Sequence, residues 1–127
     1  MRFLPTRVHG YLDYLMGVVL LMGPWIFGFS RDGAETWVPV LLGAALLLYS
    51  LFTDYETGLM KNIPMTAHLW LDVISGAVLV LSPWLFGFSD FVWAPHVLLG
   101  LIEIGAGVTT QTIPSHEAFT ESHSGAI

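Results

Sequence analysis

One 22-residue stretch of this chain occurs twice. His9 to Ser30 reads HGYLDYLMGVVLLMGPWIFGFS, and His68 to Ser89 reads HLWLDVISGAVLVLSPWLFGFS. At an offset of 59, 12 of 22 positions are identical, ending in the shared run Pro-Trp-x-Phe-Gly-Phe-Ser. A chain duplicated in this way must fold as two copies of one unit, each opening with an apolar segment and closing it with the same turn.

Each copy also holds a second apolar segment. The pattern predicts helices from Arg7 to about Phe27, Trp37 to Phe52, Met65 to about Phe86, and Trp93 to about Thr110. A barrel strand needs only about 9–11 residues of strict alternation, which these longer segments lack. About twenty helical residues cover a hydrocarbon core of roughly 30 Å. Charged residues make up 11% of the chain and mean hydropathy is +0.69, whereas soluble domains carry roughly 25% charged residues. So few charges cannot cover the surface of so small a protein in water, and in lipid an open sheet would leave backbone groups unpaired. The sequence therefore predicts an all-α polytopic membrane protein, with four transmembrane helices arranged as two tandem parallel helical hairpins. Residues 1–112 form the transmembrane domain, with repeat one over 5–56 and repeat two over 64–112. Residues 113–127, rich in Ser, Thr, Glu and His, are expected to be a disordered cytoplasmic tail.

Two helices per copy return the chain to its starting side. The copies are thus parallel, related by an axis near the membrane normal, unlike the inverted repeats of rocking transporters. Arg2, Arg7 and Lys61 lie on one side and Arg31 on the other. This bias predicts a multi-pass inner-membrane protein with both termini in the cytoplasm. The N-terminus mimics a signal peptide, yet Asp13 interrupts the apolar run and no small-x-small site follows. The same helix also recurs at 68, so the segment is expected to be retained.

The chain has no cysteine, which removes disulfides and thiolate chemistry. Four Lys/Arg residues exclude nucleic acid as a partner. No Gly-x-Ser-x-Gly, HExxH or phosphate loop is present, so no catalytic residue and no enzymatic activity is expected.

The repeated motif joins a helix-breaking proline, an interfacial tryptophan and a turn glycine: Pro24, Trp25, Phe27 and Gly28 in the first copy, and Ser82, Pro83, Trp84, Phe86 and Gly87 in the second. It reads as a helix terminator that fixes depth and aims the hairpin. The Ser82-Pro83-Trp84 triplet within a duplicated two-helix unit resembles the SPW-repeat family of small integral membrane proteins. The likeness covers roughly residues 5 to 112, with Gly23 replacing serine in the first copy. It implies membrane location and a two-helix repeat, and it transfers no catalytic residue.

His9, Asp13, Gly17, Leu20 and Pro24 recur at steps of three or four, as do His68, Asp72, Gly76, Leu79 and Pro83, which places each set on one helix face. An aspartate near a membrane-helix centre is expensive, by about 2.5–3.5 kcal/mol on insertion scales. A histidine one turn away offsets part of that cost. The simplest arrangement has the two faces meet, or turns both toward the bundle centre, at equal depth, as polar glue between helices. His96, Gly100, Glu103 and Gly107 share a face of the fourth helix. These residues also allow an alternative: a proton or ion pathway through His96, Glu103, Asp72 and His68, or a haem-type carrier using His9 and His68 as axial ligands. Structural zinc needs four ligands, which the two pairs together supply, but no metal and no cofactor is expected. The sequence favours a small membrane protein of unknown activity, serving as a structural or accessory subunit. Its expected partners are the lipid bilayer and either further copies of itself or a larger membrane complex.

Overall fold

A computed structural model describes residues 2–113; the expectation of a disordered tail falls, from residue 114 onward, outside the described residues. They form four helices and no strand: α1 (Thr6–Ile26), α2 (Ala34–Leu51), α3 (Met65–Leu85) and α4 (Ala94–Thr109). Helix α2 starts three residues before the predicted Trp37. Glu35 and Thr36 look like loop residues, yet an acid suits the first turn, where free amides and the helix dipole favour negative charge. Glu35 is held there by Arg31, with Nε 3.2 Å from its carboxylate.

Helices α1 and α3 start alike. Pro5 and Pro64 sit at the N-cap with φ near −60°, and their carbonyls accept the His9 and His68 amides at 3.0 Å. The ends match too. The Pro24 carbonyl accepts from Phe29 and Ser30 (2.9 and 3.0 Å), and the Pro83 carbonyl from Phe88 and Ser89 (2.8 and 2.9 Å). Gly28 and Gly87 follow the last turn with φ of 73° and 74°, a left-handed conformation open to glycine at little cost. A bond from two residues past the cap back to the last turn, through such a glycine, is the Schellman helix stop. The Pro-Trp-x-Phe-Gly-Phe run is thus a chain-reversal device, and each proline sits within the final turn, not at a mid-helix kink.

Helix α1 packs chiefly on α2, and α3 on α4. A Cβ on Gly43 would meet the Gly17 carbonyl at 2.8 Å, and one on Gly100 the Gly76 carbonyl at 2.7 Å. At these two crossings only glycine allows the backbones to touch. Gly107 likewise faces α3, while Gly105 has open space around it. Leu4 bridges Thr110 and Thr53 bridges Ile63 in single-residue parallel contacts. The starts of α1 and α3 and the ends of α2 and α4 therefore gather at one end of the bundle.

The interior is layered. The His/Asp residues occupy that end; Leu20, Leu46 and Leu79 form an apolar middle, flanked by Met16, Leu42, Tyr49 and Leu99. Phe29, Phe88 and His96 pack at the other end, with Phe ring centroids 5.0 and 4.8 Å from the imidazole. By length and composition, α2 and α3 are each able to cross a membrane. Helix α4 is apolar but has 16 residues, about 24 Å of rise; α1 is as long as α3 but carries Arg7, His9 and Asp13.

Candidate functional site: a His–Asp ring between the repeats

The i, i+4 spacing brings His9 Nε2 to 3.0 Å from Asp13 and His68 Nε2 to 3.1 Å from Asp72. The closer contacts cross between repeats. His9 Nε2 lies 2.7 Å from Asp72 Oδ2, and His68 Nε2 lies 2.9 Å from Asp13 Oδ2. The four side chains close a ring in which nitrogen and oxygen alternate. His9 and Asp72 are joined by a well-aligned hydrogen bond. His68 Nε2 is within ion-pair distance of both carboxylates but in line with neither, and it has no hydrogen-bond partner. All four residues are buried.

The outward faces of the ring are also occupied. His9 Nδ1 meets the Thr110 hydroxyl at 2.7 Å, and His68 Nδ1 meets that of Thr53 at 2.6 Å. Each hydroxyl donates its single hydrogen to a carbonyl one turn back, Ala106 or Tyr49. The threonine oxygens are thereby left to accept, which places a proton on each Nδ1. Both Nε2 atoms then face carboxylate oxygens, and a proton or a cation must lie between. The Tyr49 hydroxyl donates to Asp72 Oδ1 at 2.5 Å and that of Tyr55 to Asp13 Oδ2 at 2.8 Å. Tyr55 sits in the loop after α2; burial and the adjacent Asp13 charge push its phenol above the ordinary range, which keeps it a neutral donor.

His96 and Glu103 stay out of the ring. His96 Nε2 bonds the Glu35 carbonyl at 2.9 Å. Glu103 is 5% exposed, and neither carboxylate oxygen has a hydrogen-bond partner. A cavity beside His96, lined by Leu20, Leu79 and Leu99, measures about 10 Å³, at or below the volume that holds one water. The haem alternative does not fit. The His9 and His68 rings touch edge to face with centroids 5.4 Å apart and share two carboxylates, which leaves no porphyrin-wide slot between them.

Of the motif residues, Pro24, Ser82 and Pro83 are buried, whereas Trp25, Phe27, Trp84 and Phe86 point outward. The sequence reading missed Thr53, Thr110, Tyr49 and Tyr55. Aligning the second helices on their common Val-Leu-Leu-Gly (40–43 and 97–100) pairs Thr53 with Thr110. The tyrosines carry no such signal, because Ala106 and Thr112 stand at the matching positions. The same alignment sets Glu103 against Leu46.

A family model described as SPW repeat domain matches residues 7–110. No curated protein and no solved structure matches the chain.

Proposed function

The chain belongs to the SPW repeat domain family, and from that premise we propose that it is a membrane-embedded scaffold or accessory subunit, clasped shut by its His–Asp ring and without catalytic activity. The inverted distribution of polarity supports the membrane reading. Among the described residues, the buried set holds 13 polar or charged side chains and 8 apolar ones. Leu12, Leu15, Val18 and Met22 on α1, and Ile74, Val78 and Leu81 on α3, face outward. Trp25, Trp37, Trp84 and Trp93 ring one end and Tyr11 and Trp70 the other, all more than half exposed, as interfacial aromatics in a bilayer are. The two hairpins run parallel in this reading, with the ring toward the cytoplasm.

One observation carries the scaffold role: the ring contacts cross from repeat to repeat, His9 to Asp72 and His68 to Asp13. Removing one partner from a buried charged pair costs about 3–5 kcal/mol. Asp72→Asn and Asp13→Asn are each expected to lower the thermal unfolding temperature in detergent and the amount of chain retained in membranes. Unchanged stability in both would remove the clasp. Crosslinking in native membranes is expected to return a homo-oligomer or a larger complex; monomer alone would argue against an accessory role.

The bare Glu103 carboxyl favours a second reading, a proton or ion pathway. In liposomes loaded with a pH dye, proton flux that fell in Glu103→Gln and Asp72→Asn would support it. Flux at the level of empty vesicles would dismiss it.

A further inference from the structure

We infer that the ring of His9, Asp13, His68 and Asp72 is a binding site for one divalent transition-metal ion of the zinc class. One ligand atom from each residue can be chosen so that all four lie within 4.8 Å of one another. Two imidazole nitrogens and two carboxylates form a donor set suited to such ions. Two carboxylates also balance a 2+ charge, so the loaded site would be neutral inside an apolar bundle. The nitrogen–oxygen contacts of 2.7 to 3.1 Å need to open by a few tenths of an ångström, and the wider ligand-atom separations, up to 4.8 Å, need to close, both toward the ~3.3 Å edges of a tetrahedron with 2.0 Å bonds.

Three features distinguish this cluster from an ordinary buried ion pair. Both Nδ1 atoms are committed to Thr110 and Thr53, which fixes the tautomer that turns each Nε2 lone pair inward. Metal-ligating histidines are held by the same kind of outer partner. Each carboxylate is braced from outside by a tyrosine hydroxyl, Tyr49 on Asp72 and Tyr55 on Asp13. His68 Nε2 is fully buried, points into the ring, and has no aligned hydrogen bond there. A bound cation would supply that missing partner. The inference goes beyond the scaffold reading and does not need it.

The test uses the full chain purified in mild detergent, stripped with a chelator and titrated with Co²⁺, then Zn²⁺. The expected result is one Co²⁺ per chain, with the intense visible absorption of a four-coordinate ion. Zn²⁺ should displace it and raise the unfolding temperature. Asp72→Asn should lose stoichiometric uptake. Because that variant can fail to fold, Thr110→Val and Tyr49→Phe provide the second arm: both keep the four ligands and remove one outer partner. Each is expected to weaken Co²⁺ binding by roughly 10–100-fold. Helical, stripped wild-type chain that takes up less than about a tenth of an equivalent would overturn the site. So would Co²⁺ affinity unchanged in both outer-partner variants. A chain that binds no metal but is still destabilised by Asp13→Asn refutes the metal and leaves the clasp standing.

Discussion

The His96 imidazole donates from Nε2 to the carbonyl of Glu35, 2.9 Å away on another helix. That carbonyl lies four residues before Pro39, which has no amide to give it. The histidine thus satisfies an acceptor that a proline leaves open. His96→Phe, which keeps a ring between Phe29 and Phe88, is expected to cost about 1–3 kcal/mol, because the acceptor becomes buried and unsatisfied. In a Pro39→Ala background the amide regained at that position bonds the Glu35 carbonyl within the helix, and the same substitution should cost about 1 kcal/mol less. Thermal unfolding of the four chains in detergent measures the coupling. Purely additive effects would refute the assignment.

The same logic explains the serine of the repeated triplet. Ser82 Oγ donates to the Leu79 carbonyl at 2.7 Å, the acceptor left open by Pro83. Gly23 offers no hydroxyl to Leu20, four residues before Pro24. A Cβ at Gly23 would meet nothing closer than the Phe27 ring at 3.5 Å, so a side chain fits. Gly23→Ser is expected to stabilise the protein by about 1 kcal/mol, through the added bond and lower helix cost. Ser82→Ala should destabilise it by a similar amount. Equal unfolding temperatures for Gly23→Ser and wild type would reject the account.

These two cases mark what could be read in advance. The steps of three and four from His9 to Pro24 and from His68 to Pro83 are visible in the residues, and they place the ring members on facing surfaces. The motif glycines announce the helix stops, since only a left-handed residue completes that turn. What was hidden depends on which backbone groups lack partners. Pro39 shows that the Glu35 carbonyl is open, but not that His96 arrives from another helix to meet it. His96 and Glu103 share a helix face, and that spacing reads as a polar chain, whereas in the fold His96 is spent on the Glu35 carbonyl. The apolar layer of Leu20, Leu46 and Leu79 is built by three helices at once, and no local pattern reveals it. Tyr49 and Tyr55 stayed hidden because they serve the ring from one repeat only.

The lack of cysteine makes single introduced thiols clean reporters of topology. Asp32 and Asp90 are exposed at one end of the bundle and Asn62 at the other. A membrane-impermeant maleimide added to spheroplasts should label Asp32→Cys and Asp90→Cys, and reach Asn62→Cys only after permeabilisation. The opposite pattern would reverse the orientation drawn from Arg2, Arg7 and Lys61. Labelling of Asp32→Cys and Asp90→Cys from opposite sides would rule out parallel hairpins.

Glu103 separates the two readings of the protein. It occupies, in repeat two, the place that Leu46 fills in the apolar layer of repeat one. Its carboxyl is buried, and no donor reaches either oxygen. A group left in that state costs about 1–3 kcal/mol. If the protein only holds its place in the membrane, Glu103→Leu removes that cost, and the unfolding temperature should rise with no loss of assembly. If the carboxyl carries protons or ions, the same variant should still be more stable, because the physical cost is identical, while dye-reported flux falls to the level of empty vesicles. Stability and flux therefore answer different questions here. A drop in stability on Glu103→Leu would contradict the unsatisfied burial itself, because it would mean that the carboxyl has a partner contributing more than its burial costs.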